Sequence, residues 1–137
     1  MSEASGWAIF LIQGRNLSVD WLETNLRMKA DSLKEARDGM RHWQLNSRLA
    51  GYQSIEAHID DLLRRLMPVR KSIKNLPSGL SSRFICSMLT RSINRATLVL
   101  PSNQLLLIGA LGCNLEVHFD LINDSKEDKQ DTSASQP

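Results

Sequence analysis

Ile55, Ile59, Leu62, Leu66, Val69 and Ile73 recur at helical spacing, with Leu63 widening the stripe. No other feature of the chain constrains its fold as tightly. A helix with one apolar face this long must lie on a hydrophobic partner. Ser54 is placed to cap its first turn, where Glu56 suits the positive end of the helix dipole. Pro68 lacks a backbone N–H, so it kinks the helix or divides it in two. Pro77, Ser78 and Gly79 then end it.

The partner is read from segments of a different period. "WAIFLIQ", residues 7–13, is apolar on both alternating faces, as in a strand covered on both sides. "MRHWQLNS" alternates, with Trp43, Leu45 and Ser47 on one side and His42, Gln44 and Asn46 on the other. Gly39 precedes this strand, and the polar stretch Asp31 to Gly39 reads as a loop. Between the two strands, Ser18, Asp20 and the spacing of Val19, Leu22 and Leu26 predict a short helix over Val19 to Lys29. "RFICSMLTRS" and "ATLVL" read as two strands joined by a tight turn near Asn94. Ser102 is positioned to cap a third helix, Asn103 to Leu111, which Gly112 stops. In "CNLEVHFDL", Cys113, Leu115, Val117, Phe119 and Leu121 point inward, and Asn114, Glu116, His118 and Asp120 point outward.

The resulting order is β-α-β-α-β-β-α-β, with a weak internal symmetry about the long helix. It implies an α+β fold: a mainly antiparallel sheet of about five strands with helices packed on one face, a ferredoxin-like sandwich. At 137 residues the chain suits one domain, residues 1–122. The segment "NDSKEDKQDTSASQP", residues 123–137, has nothing apolar to bury and reads as a disordered polar tail. Cys86 and Cys113 are too few for a disulfide framework and sit in apolar stretches, which suits reduced, buried thiols and a cytoplasmic location. No apolar run approaches the roughly 20 residues of a membrane span.

Candidate chemistry is sparse. His58 lies at the edge of the helix stripe, and Glu56, two residues away, faces elsewhere and cannot orient it as a base. A structural hydrogen bond to backbone near residues 42–47 is the expected role. Glu116, His118 and Asp120 stand about 7 Å apart along one strand face, a spacing that could bind a metal or pass a proton. The wet face of a sheet is the simpler reading, unless His42 reaches them from an adjacent strand. Arg64, Arg65, Arg70, Lys71 and Lys74 surround Pro68 and could grip phosphates or an acidic protein. Asp60 and Asp61 stand one turn before Arg64 and Arg65, which favours a solvated face laced by i, i+4 pairs. No paired cysteines, phosphate-binding glycine loop or nucleophile elbow occurs. No catalytic residue, metal ligand or cofactor is therefore assigned.

"WQLNS", a short loop and "SIEAHIDDLLRRLMP" resemble a bacterial domain of unknown function, the one numbered forty-two seventy-nine. The matching positions are Trp43, Leu45 and Ser47, then Ile55, Glu56, His58, Ile59, Leu62, Leu63, Leu66 and Pro68. The likeness runs from about residue 6 to 122 and includes a closing Leu111–Gly112 pair. The family's Gly-Leu-x-Pro-Thr-like segment is replaced here by "MKADSLKEARDGM", although Gly39 keeps its place. The resemblance implies a small α+β fold and no established activity.

A non-enzymatic protein-binding module is the leading expectation, such as an immunity or inhibitor protein that blocks a bacterial toxin or defence factor. The alternative is a small-molecule-binding or regulatory domain with a pocket between sheet and helices. A weak nucleic-acid binder ranks third. From Met1 to Ile122 there are 15 Lys and Arg against 11 Asp and Glu, a net charge of only +4. Within this expectation Gly39, Trp43, Leu45, Leu62, Leu66 and Pro68 serve the scaffold.

Overall fold

The opening apolar run forms β1 (Ser5–Gly14), the central strand of a five-stranded sheet. The computed structural model describes residues 5–90 and 97–121. It continues with α1 (Val19–Leu26), β2 (Ser32–Glu35), β3 (Arg41–Asn46), α2 (Ile55–Leu66), a 3-10 turn at Met67–Val69, α3 (Arg70–Lys74), β4 (Ser81–Thr90), α4 (Ser102–Ala110) and β5 (Asn114–Leu121). The sheet order is β2-β3-β1-β4-β5. Three pairings are antiparallel, and β4–β5 is parallel. The fold is thus α+β, with a mainly antiparallel sheet and helices on one face.

The core lies between that face and the helices. Phe10, Ile12, Trp43, Leu45, Phe84 and Cys86 meet Leu22, Leu26, Ile55, Ile59, Leu62, Leu66 and Ile73. Phe10 contacts Trp43 edge-on, with ring centroids 6.5 Å apart, and packs against Phe84 at 5.5 Å. Of the residues assigned to the scaffold, Trp43, Leu45, Leu62 and Leu66 are fully buried, whereas Gly39 is half-buried and Pro68 is exposed.

Local chemistry sets the breaks. Ser18 Oγ accepts from the Trp21 N–H and Ser54 Oγ from the Ala57 N–H, so both serines cap as their positions require. Pro68 divides the long stripe: α2 stops at Leu66 and α3 resumes at Arg70. After α4, Cys113 N–H bonds the Ile108 carbonyl and Gly112 N–H the Gly109 carbonyl, a Schellman pair closed by Gly112 at φ +76°. Gly39 takes φ +86° in the turn between β2 and β3.

Several expectations differ in detail. β2 lies inside the stretch expected as a loop, and it pairs Leu33 with Trp43. Most of its side chains are exposed, so no buried alternation marked it. Thr97 to Leu100 runs outside the sheet rather than as a strand. The place beside β4, where a hairpin partner would pair, is taken by β5. α1 ends at Leu26, because Arg27 turns left-handed at φ 58°. Ser102 is the first helical residue of α4 rather than its cap; Pro101 holds the cap position. The internal symmetry extends only to connections. β4-α4-β5 is a direct parallel crossover, whereas β2 lies parallel to β1 with β3 inserted between them. The turn near Asn94 and the tail from Asn123 lie outside the described residues.

The inward row of β5 is the most consequential difference. Leu115 and Val117 are partly buried, but Phe119 and Leu121 are 53% and 52% exposed. The helix layer covers the start of this strand and not its end.

Candidate functional face

Ile9, Leu11, Ile85 and Leu89 stand outside the core cluster, on the sheet face that no helix among the described residues covers, although Leu11 itself is buried. Ile9 lies opposite Ile85, and both are partly buried by their neighbours on the pleat. Trp7 continues this row and is 45% exposed. Its indole lies against Gly51, where an added Cβ would come within 2.5 Å of the ring. The ring is therefore seated in part on the β3–α2 loop and remains half exposed.

A polar chain borders this apolar centre. Arg83 on β4 donates from one terminal nitrogen to Gln13 Oε1 on β1 (3.1 Å) and from the other to Glu116 Oε1 on β5 (2.9 Å). Glu116 Oε2 then meets His118 Nε2 at 2.5 Å. The His118 hydrogen bond, followed by the Arg83 charge, holds the Glu116 carboxyl below the usual glutamate range. Of the three candidate residues on the outward row of β5, Glu116 and His118 are thus brought together, and Asp120 stands further along, opposite Leu89. His42 does not join them. It sits on β3 opposite Gln13, with β1 and β4 between it and β5, about 14 Å away at ordinary strand spacing. Among the described residues no group of three or more His, Cys, Asp and Glu could hold a metal ion.

Three of the basic residues around Pro68 are engaged within the fold. Arg64 pairs with Asp60 at 2.8 Å, and Arg65 with Asp61 at 3.6 Å, both at i, i+4 spacing. Arg65 also donates to the Asn46 carbonyl at 2.8 Å, which makes it a tie between α2 and β3. Arg70 donates to the Met67 carbonyl. Arg70 and Lys71 edge a shallow groove of about 310 Å³ with Arg27 and Asn25, and Lys74 is exposed elsewhere on α3.

His58 is fully buried and consumed by structure. Its Nε2 donates to the Ala50 carbonyl at 3.0 Å, so Nδ1 accepts from the Ser47 hydroxyl at 2.5 Å. Ser47 Oγ in turn receives the Ala8 N–H at 3.3 Å. This relay fastens the loop after β3 to α2 and β1.

Two functional candidates escaped the sequence. Trp7 read as one more core residue, because nothing local shows which face of a two-faced strand the helices leave bare. Gln104 lies on the α4 face shared with Ile108 and Leu111, a polar residue on an apolar stripe that could have drawn notice. It is 4% exposed, its Nε2 donates to the Glu56 carbonyl, and its Oε1 has no partner. It edges an open groove of about 390 Å³ between α2 and α4, with Ser54, Glu56, Asp60 and Asn103.

Among the described residues no helix is long and apolar enough to cross a membrane. Residues 5–121 match the family model described as a domain of unknown function, DUF4279. No curated protein and no solved structure matches the chain.

Proposed function

Because the chain belongs to the DUF4279 family, a description that assigns no activity, we propose its function from its surface: a module that acts by binding another protein through the uncovered sheet face. One observation carries this reading. An exposed tryptophan and the partly buried Ile9, Ile85 and Leu89 lie beside the Gln13–Arg83–Glu116–His118 chain on a face that the described helices leave open. Aromatic and arginine side chains beside apolar surface are the anchors that interfaces favour. In its sharper form the partner is a toxin or defence factor whose working surface the module blocks. That form is supported by analogy with small dedicated binders and by no particular residue.

Capture of a partner by the parent chain, lost in Trp7→Ala and in Ile85→Ala at unchanged melting temperature, is the expected result. Equal capture by all three proteins would refute the use of this face.

The second reading, a small-molecule or regulatory site, is favoured by the orphaned Gln104 oxygen beside the α2–α4 groove. An acceptor flanked by Glu56 and Asp60 suits a ligand bearing an amine. A panel of small amines that raised the melting temperature of the parent but not of Gln104→Leu would move the assignment there.

A further inference from the structure

We propose that two copies of this chain pair antiparallel through β5, about a twofold axis at Val117, so that two sheets become one. Sheet edges are normally blunted against such pairing, and the two edges here are unequal. β2 is four residues long and carries the exposed Lys34 and Glu35. β5 is eight residues long, contains neither proline nor glycine, and among the described residues pairs only with β4.

A twofold axis perpendicular to the sheet keeps each side-chain row on its own side, so the register decides which residues meet. Centring on His118 would set Glu116 against the partner copy's Asp120, and centring on Glu116 would set that carboxylate against its own copy. Both oppose like charges, which disfavours them. Centring on Phe119 pairs little more than half of the strand. Centring on Val117 pairs nearly the whole strand and sets Glu116 opposite His118 twice, with Asn114 opposite Asp120.

The same register organises the other row. Leu115 faces Phe119, and Val117 faces its own copy. This covers the end of β5 that the chain's own helices leave bare, where Phe119 and Leu121 are half exposed. α4, the helix packed on β5, is apolar nearly all round and exposes Leu105 and Leu106, at 48% and 72%. A helix of that kind ordinarily has neighbours on more than one side. The α4 of the second copy supplies one across the twofold axis.

Sedimentation of the full chain should show a dimer at micromolar concentration. His118→Glu, which sets two carboxylates opposite one another, should sediment as a folded monomer, and Glu116→His with His118→Glu should restore the dimer. Val117→Cys should form a disulfide with its own copy under mild oxidation, beyond any seen for the parent with Cys86 and Cys113, whereas Leu115→Cys should not. Ile85→Ala, on the uncovered face, should leave the dimer intact, so this proposal and the partner-binding reading fail separately. A parent that is monomeric at high micromolar concentration overturns the pairing. So does a dimer that survives His118→Glu and leaves Val117→Cys uncross-linked.

Discussion

Replacing His58 by leucine removes both ends of a buried hydrogen-bond relay while keeping an apolar side chain of similar reach. The Ser47 hydroxyl loses its acceptor at 2.5 Å, and the Ala50 carbonyl loses its donor at 3.0 Å. A buried polar group left without its partner costs about 1–3 kcal/mol. Ser47 is 8% exposed and should lie in the middle of that range, whereas Ala50 is exposed and water can reclaim its carbonyl. His58→Leu should therefore cost about 2–4 kcal/mol, against a total of about 5–15 kcal/mol for a domain of this size. Urea unfolding followed by tryptophan fluorescence reads this as a lower midpoint at an unchanged slope. His58→Gln, whose amide can keep one partner, should fall between and remain folded. In Ser47→Ala/His58→Leu the donor and acceptor leave together, so the double variant should lose less than the sum of the two singles. A His58→Leu midpoint within about 0.5 kcal/mol of the parent would be typical of a surface substitution. That result would refute the structural role of the relay.

Trp43→Ala should cost about 3–5 kcal/mol, since the ring is fully buried against Phe10. Trp43→Phe should cost clearly less in urea unfolding followed by circular dichroism, because the indole N–H has no partner to lose. Burial pushes the Cys86 thiol up to about 12 and raises Cys113 as well, the latter opposed by its hydrogen bond with Ser82. Both should resist a thiol reagent at neutral pH until urea is added; rapid native labelling of both would contradict their burial. The sign for stability follows: unfolded thiols ionise near 9 and folded Cys86 near 12, so its contribution is complete below pH 9 and fades between those values. Glu116 behaves oppositely. Its lowered value gives a contribution that is present above the unfolded value and lost as pH falls through the folded one. Carboxyl NMR should place its midpoint below that of an ordinary glutamate, and His118→Ala should move it back up.

Periodicity made most of the scaffold legible. The Ile55–Ile73 stripe, the Trp43–Leu45 alternation, the two serine caps and the break at Pro68 each depend on residues close in sequence, and each stands in the fold. Features decided by distant neighbours were less visible. β2 is a strand because β3 offers its edge, and its own Ser-Leu-Lys-Glu carries no alternation of burial. Thr97–Leu100 has strand-like residues, but the place beside β4 is taken by β5. The same division holds for the candidate site. Glu116 and His118 could be seen as one outward row on β5, but their link through Arg83 to Gln13 requires the β1-β4-β5 order. Exposure of Trp7 depends on which face the helices choose, and β1, apolar on both sides, does not reveal that choice.

The central place of β1 has a consequence during synthesis. Its partner on one side, β3, emerges from the ribosome soon after it, but its partner on the other side, β4, begins only at Ser81. Until then β1, with its apolar run Trp7–Ile12, is an edge with one open ladder, the kind of surface that recruits neighbouring nascent chains. The nascent chain must therefore protect this strand through about half of its translation. A fragment ending at residue 80 should aggregate, and holdase chaperones should bind most strongly to ribosomes stalled just before β4 emerges.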